Sequence, residues 1–258
     1  MPDLDRLERI ARALADAARP IARRHFRRPL DVETKADLSP VTIADREVES
    51  AMRRVLADMA PDDGILGEEE GASRLDAGTV WVLDPIDGTK SFITGLPLFG
   101  TLIAAVQGAR PVVGVIEVPA LEERYVGVEG RGAAFDGSPM RTSACGRLDE
   151  AVVYLAPHEP MTGAQRAAFA RLAGIGRVNR PGYDCYPYAQ LAAGHVDVVV
   201  EVGLQPYDHM ALVPVIEGAG GRITDWDGRR LGLGSGGDVA AAANPALHAA
   251  LLDRLAGR

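Results

Sequence analysis

The stretch Trp81-Val-Leu-Asp84-Pro85-Ile86-Asp87-Gly88-Thr89-Lys90 decides how the rest of the chain is read. The apolar run from Thr79 to Leu83 reads as a buried strand, and two carboxylates, Asp84 and Asp87, follow it closely. Pro85 offers no N–H to a ladder and Gly88 permits a tight backbone, so the strand is expected to stop at Leu83. Beyond it the chain can present free backbone amides and the Thr89 hydroxyl. Carboxylates beside free amides suit a hard cation bridged to a phosphate oxygen. Asp-Pro and Asp-Gly pairs are also ordinary turn chemistry, and the motif alone leaves both readings open.

Three further acidic stations keep it company. Upstream lies Asp37-Leu-Ser-Pro-Val-Thr-Ile-Ala-Asp45, in which Thr42 and Asp45 have the spacing of a helix cap. A carboxylate in a first helical turn is expected on dipole grounds alone. Next comes Gly67-Glu68-Glu69-Glu70-Gly71. Three adjacent carboxylates repel one another on a plain surface loop, whereas a nearby divalent cation turns that cost into attraction. Downstream lies Glu201-Val-Gly-Leu-Gln-Pro-Tyr-Asp208, whose Asp208 stands where a helix cap is equally at home.

These four stations, in this order, resemble the inositol monophosphatase family of metal-dependent phosphatases, over a span from about Lys35 to Trp226. The resemblance implies a layered αβαβα sandwich with its site between two halves, 1–140 and 141–258. It implies Glu68, Asp84, Asp87 and Asp208 as metal ligands, joined by the backbone carbonyl of Ile86. It implies that Glu69 and Thr89 hold the attacking water, that Asp45 faces the metal site, and that the amides of Gly88 and Thr89 cradle the phosphate. Glu201 falls where family members hold substrate hydroxyls or amines, and Lys35 falls near a basic residue of many relatives. Tyr207 stands in place of the usual Trp. Lys90 stands where a small or polar residue is commoner and reads as a solvated flank or an added charge near the substrate. His209 replaces a small residue and reads as a neighbour of the chemistry, not a catalyst. A ligand set of oxygens without Cys or His favours Mg²⁺ over Zn²⁺, and the resemblance implies two or three such ions and a homodimer.

Within the family, Asp87-Gly-Thr-Lys-Ser-Phe-Ile-Thr-Gly95, Tyr183-Asp-Cys-Tyr186 and Gln205-Pro-Tyr-Asp208 look most like the histidinol-phosphate phosphatase branch. Histidinol carries an ammonium and an imidazole, which acidic groups such as Glu201 and Asp184 would suit. A phosphatase for inositol monophosphate or a related sugar phosphate is the competing reading, because the metal chemistry is the same. A regulatory or RNA-associated partner with the same fold is a third, and an intact carboxylate set counts against it.

The totals set the frame. The chain has 258 residues, 47% hydrophobic and 25% charged, with a net charge of −8. That balance argues against a general nucleic-acid binder, since phosphate backbones demand a basic face. Cys145 and Cys185 lie far apart without metal-ligand spacing, and the charged N-terminus lacks a signal-type apolar run, so a reduced, cytoplasmic setting without membrane contact is expected. No histidine falls into a ligand spacing or a Ser/His/Asp order.

Helical periodicity is expected over residues 4–25, with its arginines on a solvated face, and again from Thr42 to Met59. Strands are expected at Leu98–Val106, Val112–Val118 and Glu123–Val128, with a hairpin signal at Asp136-Gly137. In the second half the reading is a strand at Val152–Ala156, a helix at Ala164–Leu172 and a loop from Asn179 to Cys185. A helix at Tyr186–Ala193 and a strand at Val196–Val202 follow. One continuous helix is then expected from Pro206 through Glu217.

Overall fold

The structure is a computed structural model that describes residues 3–29, 31–34, 40–158 and 160–257. Lys35 and Asp37 lie outside the described residues.

Two long helices open the chain. Helix α1 (Leu4–His25) starts at Asp3, whose carboxylate accepts the Arg6 amide at 3.0 Å, and buries the stripe Leu7, Ile10, Leu14 and Ala18. Its arginines are more than a solvated face: Arg19 pairs with Glu117, Arg23 with Glu122 and Arg24 with Glu47. Strands β1 (Val32–Thr34) and β2 (Pro40–Thr42) form an antiparallel pair that feeds α2 (Ile43–Met59). The expected cap is present. The Thr42 hydroxyl accepts the Ala44 amide at 3.1 Å, and the Asp45 carboxylate accepts the Thr42 amide at 2.8 Å.

The large sheet comes next. Its strands are β3 (Gly64–Gly67), β4 (Gly71–Ser73) and β5 (Val80–Asp87), then, after the short helix α3 (Thr89–Ile93), β6 (Gly100–Gln107) and β7 (Arg110–Val118). Strands β8 (Glu123–Val128), β9 (Gly132–Phe135) and β10 (Ser138–Pro139) complete it. The spatial order is β10-β9-β8-β7-β6-β5-β3-β4, antiparallel throughout except for the β3–β5 pair. Asp136 and Gly137 take φ of 45° and 82° between β9 and β10, the left-handed pair that a tight hairpin turn requires.

Strand β5 does not stop at Leu83 but runs through Pro85 to Asp87. Its register against β6 shifts between Asp84, opposite Leu102, and Asp87, opposite Gly100. Three steps on β5 face two on β6, which is a bulge, and a bulge releases Pro85 from donating to the ladder. The freed Pro85 carbonyl is taken by the Thr101 hydroxyl at 2.8 Å. The bulge also matters for chemistry. Residues three apart on a regular strand point to opposite faces, and the extra residue brings both aspartates to one side.

The second sheet follows from β11 (Val152–Ala156), α4 (Gly163–Leu172), β12 (Val178–Pro181), α5 (Tyr186–Ala192) and β13 (Val198–Glu201). The chain continues through α6 (Pro206–His209), α7 (Leu212–Gly218), β14 (Arg222–Asp225), β15 (Val239–Ala242) and α8 (Pro245–Ala256). The order is β12-β11-β13-β15-β14, with β11 parallel to both its neighbours. Two more expectations change. Asn179–Pro181 is not loop but part of an exposed edge strand, where a terminal proline is tolerated. The helix expected from Pro206 through Glu217 is split, because Pro214 has no N–H to give the carbonyl four residues back, at Met210.

The layers run helix, sheet, helix, sheet, helix, as expected. Helices α1 and α2 cover one face of the large sheet through Trp81, Leu83, Ile103 and Val115. Helices α5, α6 and α7 fill the space between the sheets, where Tyr188, Met210 and Val215 join Val82, Leu102 and Ile116 in one core. Helices α4 and α8 cover the outer face of the second sheet through Leu172, Leu247 and Leu251. Residue 140 falls between the two sheets, yet the middle core takes side chains from both sides of it. Among the described residues, no helix is long and apolar enough to cross a membrane.

Candidate active site

The site forms where β5 hands over to α3. Gly88 takes φ of 81° at the helix start, a conformation that costs glycine little. A Cβ there would also lie 2.2 Å from Asp184 Cγ, so close approach demands glycine a second time. Helix α3 is pinned by Phe92, whose ring meets Phe99 edge-on with centroids 4.8 Å apart. Thr89 is held in turn: its hydroxyl lies 3.2 Å from the Ile86 carbonyl and 3.3 Å from Asp45 Oδ1. Asp45 therefore caps α2 with one oxygen and faces Thr89 with the other.

Asp84, Asp87 and Asp208 each offer a carboxylate oxygen, all within 4.8 Å of one another. They arrive from two elements. The β5 bulge supplies the first two, and the first turn of α6 supplies Asp208, whose Oδ2 also accepts the Gln205 amide at 2.6 Å as a cap. Asp87 Oδ2 accepts the Cys185 amide at 2.5 Å. Asp84 is 1% exposed, and its Oδ1 is buried with no hydrogen-bond partner.

The electrostatics are lopsided. Burial, with the charges of Glu68, Asp87 and Asp208 around it, pushes Asp84 well above the ordinary carboxylate range. Burial and the charges of Asp184 and Asp208 do the same to Asp87. Burial raises Asp208 to about 7 and Asp184 to about 6. A buried, unpartnered carboxylate oxygen among three converging aspartates fits a hard cation, since oxygen-only donors suit Mg²⁺-like ions and an added positive charge reverses every one of these shifts.

Most of the other expected site residues share one cleft of about 400 Å³. Its walls include Glu68, Gly88, Thr89, Asp184 and Glu201. Glu69 is held differently. Its amide donates to Glu49 Oε2 at 2.7 Å, and Glu69 and Asp45 both act electrostatically on Arg46. His209 is fully buried with neither ring nitrogen hydrogen-bonded, and burial drops it to about 4, consistent with a neutral packing neighbour.

Three contributors were not anticipated. Glu49 lies fully buried beneath the Glu68-Glu69-Glu70 run, accepting the Glu69 and Glu70 amides and the Arg53 guanidinium. A Cβ on Gly67 would stand 2.0 Å from Glu49 Oε1, so this glycine is what lets the carboxylate in. The available signal was a glutamate beside Val48 on the apolar stripe of α2. Tyr188 and His158 both reach Glu201, at 2.9 Å and 3.2 Å. Nothing local in the sequence marks either: the β11–β13 pairing brings His158 to Glu201, and the packing of α5 against β13 brings Tyr188.

A buried carboxylate cluster at the end of a bulged strand, beside a glycine-led helix start, suits a hard cation held next to an anionic group. The chain belongs to the inositol monophosphatase family, whose profile matches residues 3–256. The bifunctional phosphatase IMPL2, chloroplastic, of Arabidopsis thaliana is 47% identical over 230 residues, covering 88% of this chain and 66% of that protein. A histidinol-phosphatase of Mycobacterium tuberculosis is 39% identical over 254 residues, covering 95% of this chain and 96% of the relative. The solved structure of an inositol monophosphatase from Zymomonas mobilis superposes with a TM-score of 0.90 at 44% identity, covering 99% of this chain and 100% of its own. The protein is a phosphatase acting on small phosphorylated substrates.

Proposed function

We propose that the protein hydrolyses histidinol phosphate to histidinol and inorganic phosphate, with Mg²⁺ as its metal. The observation that carries this reading is the make-up of the cleft. The same cavity is lined by Gly88 and Thr89 and by two aspartates of the metal set, and also by a further pair of acids, Asp184 and Glu201. Carboxylates accept from polyol hydroxyls as well, but a pair of acids beyond the metal set also offers charge compensation to an ammonium and an imidazole.

Asp84, Asp87 and Asp208, with Glu68 and the Ile86 carbonyl, would hold the metal. Bound there, Mg²⁺ would offset the charge of the phosphate monoester and lower the pKa of a water. The chain's own residues do the rest. First-turn amides of a helix lack intrahelical partners, so those at Gly88 and Thr89 are free to take phosphate oxygens. The Thr89 hydroxyl, in reach of Asp45, is placed to accept a proton from the attacking water as it passes its own to the carboxylate. Glu69, braced through its amide by Glu49, is the second acceptor for that water.

The test is phosphate release with Mg²⁺ from histidinol phosphate and from inositol 1-phosphate, compared as kcat/KM. A preference for histidinol phosphate of about a hundredfold, or about 2.7 kcal/mol in transition-state binding, is expected. Equal or reversed preference would discard the substrate and leave the metal chemistry standing. The inositol ester is the right competitor because the Zymomonas mobilis relative carries that name at 44% identity.

A further inference from the structure

His158 enters the cleft from the coil after β11, two residues beyond Ala156, which stands opposite Glu201 in the β11–β13 register. Its Nε2 lies 3.2 Å from Glu201 Oε1, while the other carboxylate oxygen accepts the buried Tyr188 hydroxyl at 2.9 Å. The Glu201 side chain is 4% exposed and that of His158 is 53% exposed. The imidazole thus covers the oxygen of a carboxylate that protein seals on its other sides, yet its own body stands in solvent. His158 and Glu201 line the same cleft, so a ligand that takes Glu201 Oε1 competes with His158 Nε2 for it.

We propose that His158 is a specificity-determining residue, whose imidazole holds the Glu201 oxygen an ammonium on the leaving group would take. The inference rests on the reading above, that the alcohol released carries an amine. The hydrogen bond to Glu201 raises the His158 pKa against the burial that lowers it, with the charges of Glu201 and Asp184 acting in the raising sense and Lys90 opposing. An ammonium and an imidazolium repel one another at a shared carboxylate, so a cationic ester binds by exchange and gains only the difference between two ion pairs. An uncharged polyol ester need not displace His158 and can take a hydrogen bond from it. His158 therefore narrows the margin between cationic and neutral esters, and Tyr188 keeps the Glu201 carboxylate in place while the exchange happens.

The experiment compares wild type, His158→Ala and His158→Lys on histidinol phosphate and on its analogue lacking the amine. Both esters are also run as competitors of a common chromogenic phosphate ester, so that Ki is read even where turnover is low. His158→Ala is expected to lower KM and Ki for the amino ester about threefold to fivefold, and not to lower them for the amine-free ester. His158→Lys, which keeps the positive charge, is expected to show no such fall. An unchanged or raised KM for the amino ester in His158→Ala, or equal falls for both esters, overturns the proposal. The two readings fail separately. A wild type that prefers inositol 1-phosphate removes the histidinol assignment, whereas the amine-dependent shift in His158→Ala tests the exchange in either case.

Discussion

Glu117 and Asp84 are both buried carboxylates of the large sheet, 0% and 1% exposed, two strands apart. Their surroundings are opposite. Glu117 is matched by two guanidiniums: Arg19 of α1 takes one oxygen, and Arg124 of β8 takes the other at 2.6 Å. Asp84 is pressed by three further carboxylates and keeps one oxygen without a partner. The first charge is closed within the chain and ties α1 to the sheet. The second is an excess that the folded chain carries against its own stability, which is the usual mark of a site built for something outside it.

That contrast can be broken by substitution. The largest expected effect is from Asp84→Asn, which should lower kcat/KM roughly 10³-fold by weakening metal and phosphate charge compensation. The same variant should raise the melting temperature of the metal-free protein, because it removes a carboxyl whose ionisation burial and the neighbouring charges disfavour in the folded state. Wild-type turnover, or a lower metal-free Tm, would break the comparison from the Asp84 side. Glu117→Ala should do the reverse. It leaves the Arg19 guanidinium unpaired and Arg124 with Asp16 alone, and should cost about 3 kcal/mol in urea unfolding, with kcat/KM of the folded enzyme within about threefold of wild type.

Glu49→Gln sharpens the comparison, because Glu49 belongs to both types. It is paired with Arg53, yet it also accepts the amides of Glu69 and Glu70. It should lose about tenfold in kcat with little change in KM, the size expected for a partner that orients a group at a metal site. An equal loss in stability and none in kcat would make it a purely structural ion pair.

The smallest effect expected is in pH. Asp208 and Asp184 have folded pKa values raised to about 7 and about 6, above the ordinary aspartate range near 4. A carboxyl whose folded pKa is raised favours the folded state below its unfolded pKa, and that contribution is lost as pH rises through the folded value. In chelator, stability measured in urea should therefore decline from about pH 4 to pH 7 through this cluster. The decline should be shallower in Asp84→Asn and in wild type with Mg²⁺. Identical slopes in all three would mean that the cluster does not set the pH dependence.

Much of this site was legible in the chain itself. The order of the acidic stations, the Thr42–Asp45 cap and the Asp136-Gly137 turn are local patterns, written by residues a few positions apart. The two misreadings differ in kind: at Pro85 context overrode a local rule, and at Pro214 a local rule was passed over. Pro85 was expected to end a strand, and instead sits in a bulge where its missing N–H costs the ladder nothing. The helix from Pro206 was expected to run on, and Pro214 divides it.

Sequence alone thus determined which carboxylates are available, in what order, and that an oxygen-only ligand set points to a hard cation. Tertiary structure decided which of them meet. The bulge turned Asp84 and Asp87 to one face, the α6 turn carried Asp208 to them, and the β11–β13 register set His158 over Glu201. Short-range sequence pattern encodes a residue's neighbours along one helix or strand. Partners across a sheet depend on strand order and register, which only the packing of the whole chain selects.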